Sequence, residues 1–225
     1  MTDSTATAPS ADTAPPAAAH PWWRGTAGLA LMVVLGLLLG AGGAWLTHRL
    51  RTPGDDSPEA GFARDMLNHH AQAVEMGLVA YRGSGDAEVR SGAVDIVMTQ
   101  LTEAGMLQAW LRDWDVPPTS TDPPMSWLPA GKRHLTPDGR MPGMADAQEL
   151  DRLRTASGRA RDVLFLQLMI RHHLGGTHMI AAILDSTDEP EVRRAATAMR
   201  DVQSAEVKNM TALLTRLGGA PLPSS

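Results

Sequence analysis

The chain has 225 residues, 43% hydrophobic but only 4% aromatic, so any core is built from Leu, Ala, Val, Ile and Met. A formal charge of -5, with acidic and basic residues mixed, argues against a nucleic-acid binder. The absence of cysteine excludes disulfides, thiolate metal sites, Cys nucleophiles and a lipid anchor on Cys.

Residues 1–25 are dominated by Ala, Thr, Pro, Ser and Asp and read as a disordered tail, because they cannot bury enough apolar surface to fold. Residues 26–46 form an uncharged apolar run of the length that crosses a bilayer as a helix. Trp22 and Trp23 precede it and Trp45 closes it, as interfacial anchors do. An uncleaved anchor is expected rather than a signal peptide, since the preceding polar tail is long and lacks Lys or Arg before Arg24. Arg24 flanks one side, and Arg49 and Arg51 the other. Taken alone, that count places the C-terminal domain inside the cell.

Residues 47–56 read as a linker. Ser57-Pro58 then supplies an N-cap and a first-turn proline for a helix running to about Tyr81. Gly83-Ser84-Gly85 breaks it, and Asp86 caps a second helix that stops near Trp114, ahead of Pro117-Pro118. Residues 115–156 are a long connection, with seven prolines between 115 and 144 and a short helix expected over 145–156. Connections of this length in a compact domain are functional or cross the fold. A third helix is expected over 157–184. The fourth is expected to start at Thr187-Asp188-Glu189-Pro190 and end at Gly218-Gly219. The expected fold is all-α: a ferritin-like four-helix bundle over 57–218, made of two duplicated hairpins (57–114 and 157–217) and preceded by a transmembrane helix.

The duplication is explicit. Phe62-x3-Met66-x2-His69-His70 returns as Phe165-x3-Met169-x2-His172-His173, an offset of 103 residues. The same offset carries Glu88-Val89-Arg90 onto Glu191-Val192-Arg193, and Gln100-x2-Glu103 onto Gln203-x2-Glu206. At about 100° per residue, the Phe, Met and His positions of each copy fall within roughly 100° of arc, the width of a buried stripe. Glu103 and Glu206 also lie on apolar stripes. A buried carboxylate without a partner costs several kcal/mol, so the His pairs are the expected partners.

Two readings of these stripes compete. One is a metal centre in the bundle core, held by Met66, His69, His70, Glu103, Met169, His172, His173 and Glu206. Thioether and imidazole without thiolate favour a copper ion over zinc or iron. The other is a metal-free interaction domain whose buried His–Glu network fixes helix register and responds to pH. A metal-dependent oxidoreductase is a third possibility, but no phosphate loop, nucleophile elbow or His-Glu-x-x-His motif supports catalysis. His178 and Asp65 sit at the stripe edges, and Met125, His134, Met141 and Met144 could form a second cuprous site in the connection.

These residues resemble the domain of unknown function 305 family, whose pattern is a Phe-x3-Met-x2-His-His helix followed by Gln-x-x-Glu on the next helix, often doubled. The resemblance covers about Pro58 to Leu217. It implies a ferritin-like four-helix fold and an extracytoplasmic domain, anchored or secreted. It also implies copper binding, a property linked to some relatives. On that basis the chain is expected in the cell membrane as a single-pass protein with its C-terminal domain outside, against the arginine count. Its expected partners are a metal ion and the bilayer, not nucleic acid. Three positions depart from the pattern: Glu59 stands where the second copy has Asp162, Met106 falls one residue early relative to Met210, and Gly175-Gly176 follows the second His pair.

Overall fold

A computed structural model of the protein describes residues 25–222, apart from the side chains of residues 48–51. The expected tail lies outside the described residues except for Gly25. Among the described residues there are six α-helices and one 3-10 turn, and no strand. The chain divides after Thr52 into two units.

The first unit contains α1 (Thr26–Arg51). Its segment Thr26–Thr47 is long and apolar enough to cross a membrane. Leu31, Leu37, Leu38 and Leu39 are all exposed, so the helix is apolar around its circumference rather than along one stripe. The helix continues five residues beyond Leu46, into the segment expected to be linker.

The second unit holds α2 (Pro58–Gly83), α3 (Ala87–Asp113), α4 (Ala147–Thr155), α5 (Gly158–Leu184) and α6 (Pro190–Arg216). The start signals act largely as their chemistry requires. Ser57 accepts the Ala60 amide, with Pro58 in the first turn. The Asp86 carboxylate accepts the Glu88 and Val89 amides and also receives Arg216 from the end of α6, which ties the two hairpins together. Asp146 and Glu149 form a reciprocal capping box on α4. Within the expected start Thr187-Asp188-Glu189-Pro190, α6 takes only the last residue. Thr187 instead folds into a turn that accepts the Glu189 amide while its hydroxyl donates to Glu59. Pro190 then opens the helix.

α2 packs against α3 and α5 against α6, giving two hairpins. α2 and α5 pack on each other between them. The duplication decides how the core is shared. One apolar cluster joins Phe62, Met66 and Leu107 of the first copy to Met179, Ile183, Val192 and Met199 of the second. The other joins Phe165, Met169 and Met210 of the second copy to Met76, Ala80, Val89 and Ile96 of the first. These sets exchange under the 103-residue offset. The bundle therefore has a pseudo-dyad, and each cluster takes its side chains from both repeats.

The connection breaks this symmetry. Its first part lies against the first repeat, where the Asp65 carboxylate accepts the Met125 amide (2.7 Å) and the Trp127 indole N–H (2.8 Å), while its end also packs on α5. Trp127 also meets Phe62 edge-on, with ring centroids 6.1 Å apart. Arg64 donates to the Pro117 carbonyl. Met125, Leu128 and Met141 join the apolar cluster beneath.

Candidate metal centre

Between the two apolar clusters lies a layer of four buried histidines. His69 and His70 follow Met66 by three and four residues on α2, and His172 and His173 follow Met169 in the same way on α5. Helical spacing thus places each thioether one turn from its imidazole pair. Met66 and Met169 are fully buried, each in a different cluster.

Two kinds of contact build the layer. Within each repeat, His70 Nε2 lies 2.8 Å from Glu103 Oε2, and His173 Nε2 lies 2.7 Å from Glu206 Oε2. Across the repeats, the rings of His69 and His172 stack with centroids 3.7 Å apart, tilted by 35°. His69 Nε2 lies 3.2 Å from the Pro142 carbonyl oxygen of the connection. An ionised carboxylate or a carbonyl only accepts, so Nε2 carries the proton in His69, His70 and His173. Their Nδ1 atoms then present lone pairs.

Those lone pairs have no protein partner. Nδ1 of His69, His70 and His173 and Nε2 of His172 are all buried without one. So are Oε1 of Gln100 and Oε1 of Gln203, equivalent positions in the two copies. Leaving a buried polar atom unsatisfied costs roughly 1–3 kcal/mol. The unsatisfied amide oxygens are acceptors, as are the three Nδ1 atoms, and a cation or a hydrogen-bond donor such as water would satisfy them. Burial, then the neighbouring His70, pushes His69 down to about 3, opposed by the Pro142 carbonyl. Burial followed by His69, His173 and His70 lowers His172 well below the ordinary histidine range. Both rings are therefore neutral at physiological pH, which is the ligating form.

The layer is not a closed coordination sphere. Among the described residues, no three His, Asp or Glu side chains already converge as a metal site. Glu103 and Glu206, expected as ligands, lie on the Nε2 side of their histidines. That is where a carboxylate orients an imidazole whose other nitrogen faces a metal. Asp65 is an anchor for the connection, and its counterpart Leu168 is core. His178 and His134 are exposed. Met125 and Met141 are buried among apolar side chains.

Three participants were not assigned from sequence: the Pro142 carbonyl and the Gln100 and Gln203 oxygens. A signal for the first existed. Gly175-Gly176 stands where the first copy has Gln72-Ala73, and such a loss of side chains marks a close approach. A Cβ on Gly175 would lie 2.0 Å from the Pro142 oxygen, and one on Gly176 would lie 2.6 Å from Gln203 Oε1.

The family described as Domain of unknown function (DUF305) matches residues 59–214. A candidate secreted DUF305 protein from Streptomyces coelicolor has a similar crystal structure, with 39% identity over 76% of this chain and 99% of that one, at a TM-score of 0.69. A DUF305 fragment from Deinococcus radiodurans is 33% identical over 71% of this chain and 96% of that one, at a TM-score of 0.60. CopM in its Cu(II)-bound form shares the fold at 23% identity, over 71% of this chain and 97% of that one, with a TM-score of 0.55. No curated protein matches the chain.

Proposed function

We propose a copper-holding role for this chain, which belongs to the Domain of unknown function (DUF305) family. The observation that carries the proposal is the set of buried polar atoms without a protein partner, four imidazole nitrogens of the histidine layer and the two equivalent Gln oxygens. Neutral imidazole with a thioether one turn away suits copper in either oxidation state, the thioether favouring Cu(I). His69, His70, His172 and His173 would hold the ion, with Met66 and Met169 as soft donors. Glu103 and Glu206 fix the tautomers of His70 and His173 from behind. CopM has been solved with Cu(I) and with Cu(II), which supports the same cargo here.

The apolar helix α1 is read as a membrane anchor. Its Thr26–Thr47 segment, at about 1.5 Å per residue, spans roughly 33 Å, against about 30 Å of bilayer hydrocarbon. The likeness to a candidate secreted relative favours the bundle lying outside the cytoplasm. The role is buffering or sequestration rather than turnover.

A second reading has its own support. The 2.7–2.8 Å His–Glu pairs are complete without a metal, as expected for a network that only sets helix register. Metal analysis of the purified protein separates the two. Copper should co-purify or titrate in, and changing His69, His70, His172 and His173 to Ala should abolish it. Unchanged binding in that variant would sink the core site. A melting temperature indifferent to chelators and copper but steeply pH-dependent would favour the metal-free network.

A further inference from the structure

We infer that residues 141–145 are a removable lid over the inner imidazoles and control access to them. The cargo rests on the copper reading, but the lid does not. The segment belongs to no helix, yet Pro142 and Gly143 are buried against α5. Gly143 adopts φ +78°, and a Cβ there would lie 2.4 Å from the Arg171 carbonyl oxygen and 2.9 Å from His172 Cα. Pro142 places its carbonyl on His69. The segment thus touches both members of the inner pair while leaving the outer pairs to their carboxylates.

Apolar packing and polar contacts both hold the segment down: Met141 and Ala145 are core residues, one in each cluster. The Gln72 side chain clasps the Ala145 main chain from both sides, donating to its carbonyl (3.0 Å) and accepting from its amide (2.7 Å). The Arg140 guanidinium reaches the Met144 carbonyl. Beyond the segment, Glu149 is fixed by a two-armed contact with Arg171. A short non-helical segment whose hydrogen bonds are made chiefly by side chains belongs to the part of a protein that opens locally, without global unfolding.

The outer edge of the lid faces solvent in a way that suits a cation. An open cleft of about 410 Å³ is lined by Asp55, Asp56, Asp65, Asp122 and Met141, with Arg64 its one basic residue, paired with Asp55. Its carboxylates outnumber that guanidinium, and an excess of one sign of charge raises the local concentration of the opposite ion. Met141 and Met144 bracket Pro142-Gly143, so lifting the lid moves two thioethers along with the carbonyl that occupies His69.

The test uses the full chain, first without metal. Diethyl pyrocarbonate acylates accessible imidazoles, and mass spectrometry reads each histidine. In the unaltered protein His134 and His178, both exposed, should react fast and His69 and His172 slowly. Gln72→Met keeps the length of the side chain but removes the clasp. Gly175→Ala favours the helix but drives a methyl into the Pro142 carbonyl. Both variants should raise the His69 and His172 rates at least tenfold, with His134 and His178 unchanged and cooperative unfolding retained. Unchanged rates in both variants would overturn the lid, as would a parallel rise at His70 and His173, which would report general loosening. The same proteins are then loaded with Cu(I), and transfer to a chromophoric chelator is timed. Faster release in step with acylation supports the lid acting on copper. Faster acylation with no copper bound by any variant leaves the lid standing and removes the copper reading.

Discussion

The two repeats agree where they meet and differ where the connection lies. At the dyad they match closely: His70–Glu103 and His173–Glu206 differ by 0.1 Å in length. One turn outward they diverge. Asp65 faces the connection where its counterpart Leu168 is core, and Gln72 clasps Ala145 where its counterpart Gly175 makes room for Pro142. The methionines follow the same split. Met66, Met106, Met125, Met141, Met144, Met179 and Met199 gather in or against the cluster beneath the connection, while the other holds Met76, Met169 and Met210. A single crossing segment cannot obey the dyad, so a duplicated fold keeps its symmetry at the site and gives it up at the surface the segment covers.

The largest test of that contrast lies in the cores. Phe62→Ala and Phe165→Ala should each cost about 3–5 kcal/mol, since both rings are buried. Phe62→Ala should cost about 1 kcal/mol more, because it also loses the Trp127 edge contact. Urea unfolding measures both, and equal losses would mean that the connection adds nothing to the first core. Next comes Asp65→Leu, which makes the first repeat resemble the second. It removes two hydrogen bonds to a carboxylate and should cost about 2–3 kcal/mol while releasing Trp127, seen as a shift in tryptophan emission.

The inner histidines give an effect that the two repeats share. Their folded-state values lie below the unfolded value of about 6.5, so the unfolded chain binds more protons below that pH. Stability is therefore complete above pH 6.5 and falls as the pH drops toward 3. His69 alone should account for a loss of about 2 kcal/mol at pH 5. Asp86 and Asp138, held near 2 chiefly by Arg216 and Arg140, act only at lower pH. His69→Leu and His172→Leu should each flatten the unfolding free energy between pH 7 and 5. A slope unchanged in both would show that the rings titrate normally. The smallest effect expected is from Glu103→Gln and Glu206→Gln, about 1 kcal/mol each and equal within error. An unequal pair would place the asymmetry inside the layer itself.

Much of this was legible in the sequence for definite reasons. Ser57, Asp86, Pro58 and Pro190 mark helix starts by local chemistry, and apolar periodicity turned the histidines inward before any packing was known. The partners of those histidines were only partly readable. Glu103 lies on the other helix of His70's own hairpin, and its pairing with a histidine was anticipated. The His69–His172 stack and the Pro142 carbonyl depend on how α2 meets α5 and on where an irregular segment comes to rest. Neither has a period. Only Gly175-Gly176 recorded that approach, as side chains that are missing.

The mixed ancestry of each apolar cluster has a consequence for the hairpin as a unit. A large share of each cluster comes from the other repeat, so a lone hairpin carries two partial cores and closes neither. A second copy related by a dyad would close both at once. The fused chain is in this sense a tethered homodimer, in which the connection replaces a concentration-dependent encounter with an intramolecular one. Tethering also lets the two protomers differ in sequence, and only then could one of them acquire a glycine seat for the tether itself.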